Sequence, residues 1–229
     1  MTLIDLTLEI YDGLQSFASH PPIQIKEQST FENSKERYIP PCQGFESRLL
    51  TFSDHSGTHI DAPIHFIQDG ESTSEMILEN TMGKAWLLDV SDFKAPDEAV
   101  TRDMLDKAEA TQGIQVNKGE IVLVRTRKGT WGDASFFDEK SFAKSAGEWL
   151  TERQVKMVGL DLPNIDVNDN MKREVHLEVL GNNIYIIENL VNLEQLPKQA
   201  HFQFQAVPLK MKNATASPVR ALAFVTEEK

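Results

Sequence analysis

Hydrophobic positions along the chain fall into short apolar runs between polar segments, and these runs predict strands. Two of the runs, Ile121 to Thr126 and Lys156 to Leu160, are almost continuously apolar, which is typical of strands covered on both faces in a parallel sheet. The predicted strands are Ala85 to Val90, Ile121 to Thr126, Lys156 to Leu160, Ile184 to Ile187, His201 to Pro208 and Val219 to Val225.

Apolar residues recur at helical spacing in three of the intervening segments. Thr101 to Ala110 opens on a threonine, a frequent N-cap, and stops shortly before Gly113. Phe142 to Arg153 and Met171 to Leu180 show the same spacing. Helices and strands therefore alternate in the middle of the chain, whereas short strand-like pieces occupy the first eighty residues. We expect a mixed α/β architecture with at least two sheets, in one domain spanning residues 1–229.

Composition and charge exclude several classes of protein. The 229 residues are 40% hydrophobic and 25% charged, an ordinary globular balance. A formal net charge of -12 disfavours nucleic acid and anionic membranes as partners. No apolar run approaches the roughly 18 residues of a membrane-spanning helix. The first residues lack a secretory signal, and Cys42 is the sole cysteine, so we expect a cytoplasmic protein without disulfides.

Candidate chemistry concentrates in one short segment. Three of the six histidines, His55, His59 and His65, lie within eleven residues, and Asp61 lies between them. Imidazole nitrogens and carboxylate oxygens are the usual ligands of Zn, Mn or Fe in hydrolytic sites. Four residues of this kind at such close spacing predict a metal site better than they predict unrelated surface or capping residues.

The segment is not expected to be a helix. Gly57 and Pro63 interrupt it, which argues against two histidines presented one helical turn apart. A turn at Gly57 followed by an extended segment places His59, Asp61 and His65 on one face. The same turn folds the first histidine back towards that face.

The motif resembles a known family. HSGTHIDAPIHF, residues 55–66, resembles the HxGTHxDxPxH signature of the cyclase-like metal-dependent hydrolases, which include bacterial kynurenine formamidase and isatin hydrolase. GLDLPNID, residues 159–166, is similar to the family's G-x-D-x-x-S-x-D stretch, and IYIIENLVNLEQLP, residues 184–197, is similar to its xxExLxNLxxLP pattern. The opening IDLTLEIYDG is similar to its DLSxPIxxG start, so the resemblance extends over residues 4–197.

The resemblance implies a set of metal ligands. His55, His59 and Asp61 take the places of the ligands of a first ion. Asp61 together with His176 and Glu188 takes the places that complete a second site. The implied cofactor is a divalent metal, Zn or Mn, with one or two ions per subunit.

The resemblance also implies a catalytic residue, a fold and an assembly. His65 takes the place of the general acid/base. The implied fold is the swivelling β/β/α type, and the implied assembly is a homodimer or a larger homo-oligomer. Asn164 stands where the family usually has serine, so the polarity of the pocket or the choice of substrate is expected to differ.

The predicted activity is hydrolysis of the C–N amide bond of a small molecule, an arylformamide or a small cyclic amide, by a metal-activated water. A lactone or ester hydrolase of the same family is an alternative, because the tetrahedral chemistry is shared. A non-catalytic metal-binding protein is a second alternative. A purely structural zinc site would be closed by four ligands, which would leave His65 without a use.

Several neighbouring residues receive weaker predictions. Asp161 and Asp166 follow a buried strand and are expected to support His176, although Asp166 could instead cap a helix. His20 is expected either in the pocket or in a surface loop. Trp131 and the phenylalanines that follow it are expected either to line a pocket or to pack in the core.

Overall fold

The computed structural model describes residues 1–133 and 136–226, and it confirms the mixed α/β fold class. The strands are β1 (Thr2–Asp5), β2 (Gln24–Ser29), β3 (Ser47–Thr51), β4 (His59–Asp61), β5 (Met82–Asp89), β6 (Ile121–Arg125), β7 (Met157–Leu160), β8 (Tyr185–Glu188), β9 (Phe202–Gln205), β10 (Ala216–Pro218) and β11 (Leu222–Val225). Over the described ranges, nine of them form one sheet in the order β1-β11-β9-β5-β6-β7-β8-β4-β10, and β2 pairs with β3 separately.

The centre of the large sheet is parallel, as the apolar runs predicted. Strands β5, β6, β7 and β8 pair in parallel, and the strands outside them pair antiparallel. Val122, Leu123 and Val124 in β6 are fully buried, since side chains pack against both faces of this strand. Each of the six predicted strands overlaps an observed strand, with ends that differ by a few residues.

The helices are α1 (Phe31–Ser34), α2 (Arg102–Gln112), α3 (Lys144–Glu152) and α4 (Glu174–Gly181). Thr101 caps α2 by accepting a hydrogen bond from Met104 N, and Gly113 ends it with φ of 67°. The third predicted helix begins three residues later than expected. Arg173 has φ of 49° and ψ of 43°, a left-handed conformation that cannot belong to a right-handed helix.

Two hydrophobic cores cover the two faces of the sheet. On one face, Val124 of β6 packs in the same cluster as Trp149 of α3 and Val175 of α4. On the other face, Leu123 of β6 lies in a cluster with Phe204 of β9. Neighbouring residues of one strand thus face opposite cores. Among the described residues, no helix is long and apolar enough to cross a membrane.

Candidate metal centre

The turn before β4 and the pairing of β4 with β8 assemble the predicted site. Gly57 has φ of 67°, so the predicted turn exists, and β4 follows it as an extended segment. The antiparallel register places His59 opposite Glu188. The extended segment is shorter than expected, because Pro63–His65 form a 3₁₀ turn in which His65 N donates to Ala62 O.

The three predicted histidine ligands lie around the two predicted carboxylate ligands, Asp61 and Glu188. His55 Nδ1 lies 3.0 Å from Asp61 Oδ1. His59 Nε2 lies 3.4 Å from Asp61 Oδ1 and 3.5 Å from Glu188 Oε2. His176 Nε2 lies 3.7 Å from Asp61 Oδ2 and 3.6 Å from Glu188 Oε1. All five residues are buried.

Two of the imidazole rings are held through the nitrogen that faces away from Asp61 and Glu188. His59 Nδ1 lies 2.9 Å from Gly57 O, and a carbonyl oxygen only accepts, so Nδ1 is the donor. His176 Nδ1 lies 2.6 Å from Asp166 Oδ2 and donates to it. In a neutral ring this leaves Nε2 of each histidine with a free lone pair towards Asp61, the arrangement that metal-ligating histidines share.

His55 is held in the opposite sense. Its Nε2 lies 2.9 Å from Thr215 Oγ1, and that hydroxyl donates to Asp54 Oδ2 at 2.9 Å. His55 Nε2 is therefore the donor to the hydroxyl, and Nδ1 faces Asp61. Asp54 is fixed in turn by the backbone N–H of Thr215 at 2.9 Å. The sequence offered no sign of this chain of contacts, since Thr215 lies 161 residues from Asp54.

Of the two aspartates expected to support His176, only Asp166 does so. Its carboxylate accepts the His176 Nδ1–H and also the backbone N–H groups of Val175 and His176 at the start of α4. Asp166 thus both orients the ring and caps the helix. Asp161 accepts instead from Thr126, through N at 2.9 Å and Oγ1 at 2.7 Å.

Burial and close charges set the protonation of the site. Burial lowers the pKa of His59, but Asp61 and Glu188 outweigh it and raise the pKa to about 10. Burial also lowers the pKa of His176, while Asp166 and Asp61 raise it to about 9. Burial alone would raise the pKa of Asp61, but the adjacent histidines hold it well below its usual range. Positive charge beside the buried Asp61 carboxylate therefore stabilises its ionised form.

The donor set fits a divalent metal ion. His59 Nε2 and both carboxylate oxygens of Asp61 are buried and have no hydrogen-bond partner within residues 1–133 and 136–226. Such atoms are costly to bury unless a ligand satisfies them. One ligand atom each of His59, Asp61 and Glu188 lies within 4.8 Å of the others, and the same holds for His55, Asp61 and His65. The second group differs from the predicted division, in which His65 was not a ligand.

His65 lies beside the predicted ligands, where the cluster borders a cavity. Its ring centroid is 4.1 Å from that of His55 and 5.7 Å from that of His176. Burial is the main reason that the pKa of His65 falls to about 4. The ring is only partly buried, and it lines a cavity of about 130 Å³. The full lining of that cavity is Phe17, His20, His55, His59, His65, Phe66, Pro163, Asn164, Arg173, His176 and Glu188.

The cavity contains residues that the sequence marked weakly or not at all. His20 lies in the pocket, with its ring 5.9 Å from that of His55. Arg173 also lines the cavity, although it lies within the predicted helical segment Met171 to Leu180, where a basic residue is usually a surface charge. Asn164 lies in the pocket as expected, and its Oδ1 accepts the N–H of Asp166 at 2.9 Å. Trp131 does not line this cavity and donates instead to Asn189 Oδ1 at 3.1 Å.

The protein has a mixed α/β fold. Near one edge of its large sheet, a buried group of histidines and carboxylates supplies the donor atoms that a divalent metal ion needs. The model of the Cyclase family, described as "Putative cyclase", matches residues 4–167. The chain belongs to the Cyclase family.

Curated relatives and solved structures agree with this assignment. The chain is 30% identical over 221 residues to a kynurenine formamidase of Bacillus mycoides (strain KBAB4), covering 96% of this chain and 95% of the relative. It is 30% identical over 175 residues to a kynurenine formamidase of Bacillus anthracis, covering 76% and 77% of the two chains. It also resembles isatin hydrolase A from Labrenzia aggregata bound to benzyl benzoate, with a TM-score of 0.82 at 26% identity over 99% of this chain and 94% of that one.

Proposed function

We propose that this protein is a metal-dependent hydrolase that cleaves the C–N amide bond of a small molecule. The observation that carries the proposal is the buried group of His59, Asp61 and Glu188 beside a cavity. Within it, His59 Nε2 and both Asp61 carboxylate oxygens have no hydrogen-bond partner among the described residues. The names of the relatives, kynurenine formamidase and isatin hydrolase, point to an arylformamide or a small cyclic amide as the substrate.

The metal ligands in this proposal are those of the family motif. His55, His59 and Asp61 would hold a first ion, and Asp61, His176 and Glu188 would complete a second site. Nitrogen and carboxylate ligands suit Zn or Mn. A bound divalent ion supplies Lewis acidity, which lowers the pKa of a coordinated water to about 7 and polarises a carbonyl oxygen.

His65 is the proposed general acid/base. Its ring lines the cavity, and no hydrogen bond of the described residues occupies its side-chain nitrogens. The ring accepts a proton from the attacking water and returns it to the leaving nitrogen, so that the amide and water become a carboxylic acid and an amine. The anchoring of His55 and His176 from behind keeps the neighbouring rings in place during this transfer.

The cavity favours a substrate of the size of one aromatic ring. Its volume is about 130 Å³, and a cavity of about 150 Å³ holds benzene. Phe17 and Phe66 provide aromatic walls, while the histidines lie on the polar side. Phe66 lies with its ring centroid 4.5 Å from that of His176, so an aryl amide placed against Phe66 has its reacting bond close to the centre.

Turnover and metal content of a His65→Ala variant test the role of His65. We expect hydrolysis of formanilide to fall by about 100-fold or more, the usual contribution of a general acid/base, with metal content unchanged. Loss of metal together with turnover would make His65 a ligand, as its closeness to His55 and Asp61 allows. Normal turnover would refute the assignment. Hydrolysis of aryl lactones or esters without amide hydrolysis would move the substrate class to the alternative.

The compartment and assembly of the protein are proposals of the same kind. We place it in the cytoplasm as a homodimer or a larger homo-oligomer. An exposed free cysteine, Cys42, is compatible with a reducing compartment. The β3 side chain of Leu49 is 56% exposed, apolar surface that a second copy would cover. Light scattering of the purified protein tests the assembly, and a monomeric mass at micromolar concentration would contradict it.

A further inference from the structure

Arg173 is a feature of the cavity that the proposed hydrolysis does not use. Its side chain lines the same cavity as His65 and His176, and its Nη1 atom is buried with no hydrogen-bond partner among the described residues. A buried guanidinium nitrogen without an acceptor loses its hydration and gains nothing in return. An acceptor supplied by a bound ligand would remove this cost.

The backbone at Arg173 reinforces this observation. The residue adopts φ of 49° and ψ of 43°, a conformation that suits glycine or asparagine better than arginine. Non-glycine residues in this region are strained, and they concentrate at functional sites. Arginine is thus placed at a position where glycine or asparagine would cost less, and its side chain lines the cavity.

The surrounding charge indicates which ligand fits. Arg173 is the one lysine or arginine among the residues that line the cavity, in a chain whose net charge is -12. No ion pair in the described part of the chain neutralises its side chain. Arginine binds planar carboxylates with charge-assisted hydrogen bonds, and the amide of Asn164 lines the same cavity.

We infer that Arg173 is a specificity-determining residue that binds a carboxylate on the substrate. The inference rests on the proposed function and names the chemical class of its substrate: small aryl amides that carry a carboxylate group. Neutral aryl amides of the same size enter the same cavity without a carboxylate for Arg173 Nη1 to bind.

The experiment compares 2-, 3- and 4-formamidobenzoate with formanilide as substrates of the metal-loaded protein. The wild type is measured beside Arg173→Met, Arg173→Lys and Lys172→Met. Lys172 is exposed and does not line the cavity, so Lys172→Met removes the same charge from the neighbouring position as a matched control. Metal content and melting temperature of each variant are recorded first.

For each protein we take the kcat/KM of the best formamidobenzoate divided by the kcat/KM of formanilide. This ratio is expected to be about 10- to 100-fold lower in Arg173→Met than in the wild type, as for loss of a charged hydrogen bond. Arg173→Lys should restore part of the ratio, and Lys172→Met should keep the wild-type value. An unchanged ratio in a folded, metal-loaded Arg173→Met protein would overturn the inference. If that variant does not fold, Arg173→Asn replaces it, since asparagine tolerates the backbone conformation.

Calorimetric titration with benzoate and benzamide separates this inference from the proposed function. If the wild type hydrolyses none of the amides, the proposed function fails, but binding still decides the role of Arg173. Benzoate should then bind about 10- to 100-fold more tightly to the wild type than to Arg173→Met, and benzamide should show no comparable difference. Equal binding of benzoate by both proteins would overturn the inference.

Discussion

His59 and Glu188 lie opposite each other on the antiparallel strands β4 and β8, with His59 Nε2 3.5 Å from Glu188 Oε2. The contact joins the histidine motif to the distant glutamate through the strand register. A shift of that register by one residue would turn one of the two side chains to the other face of the sheet. The geometry of the centre therefore depends on the stability of the sheet around β8.

Asp166→Asn should weaken metal binding without unfolding the protein. Asparagine can still cap α4, but it cannot accept the His176 Nδ1–H as a carboxylate does. Loss of such a contact typically lowers metal affinity or activity about 10- to 100-fold. Competition with a chelator measures the affinity. Asp169→Asn, an exposed neighbour, is the control, and equal affinities of the two variants would contradict the role of Asp166.

Gly159→Ala should destabilise the centre of the sheet. A Cβ atom at this position would lie 2.7 Å from both Leu123 Cδ2 and Leu190 Cδ1. Overpacking of this kind costs about 1–3 kcal/mol in free energy of unfolding, which urea denaturation measures. The cost should shrink in a Leu190→Ala background, where one of the two clashes is absent. A cost that is the same in both backgrounds would exclude this clash as the cause.

Compared with the wild type, the Asp161→Asn variant should be favoured more in free energy of unfolding at neutral pH than at acidic pH. Burial raises the pKa of Asp161 from an ordinary 3.8 to about 6 in the folded protein, although hydrogen bonds from Thr126 oppose the shift. The folded protein thus binds this proton more tightly than the unfolded chain does. The wild type retains full stability from this group below pH 3.8 and loses it as the pH rises through about 6.

Asparagine cannot ionise, so the variant does not lose stability in this way as the pH rises. The difference in unfolding free energy between variant and wild type should favour the variant by about 1–3 kcal/mol more at pH 7.5 than at pH 4. Denaturant unfolding of both metal-free proteins at the two pH values gives the difference. A difference that does not depend on pH would show that the Asp161 carboxyl does not titrate in this window.

The sequence predicted the features that depend on local patterns. Strands β6 and β7 follow from continuous apolar runs, and α2 follows from Thr101 at its start and Gly113 at its end. The five predicted ligands could be named from their motifs, and the structure brings them together. Local patterns do not, however, determine how these ligands divide between ions.

The features that the sequence did not predict depend on tertiary contacts. The contact of Thr215 with Asp54 and His55 joins segments far apart in the chain, and no local pattern marks it. The 3₁₀ turn at His65 replaces an extended segment, because backbone hydrogen bonds after Pro63 favour a tight turn. Arg173 has a left-handed conformation that no propensity of arginine predicts, so its place in the cavity is visible only in the fold.

Metal content and formanilide hydrolysis of His59→Ala, measured beside His201→Ala, test the central claim most directly. His59 is buried between Asp61 and Glu188, whereas His201 is exposed and lies outside the centre. We predict stoichiometric Zn or Mn and turnover in the wild type and in His201→Ala, and the loss of both in His59→Ala. Wild-type protein that binds no divalent metal after reconstitution, or a His59→Ala protein that keeps both metal and turnover, would contradict the account.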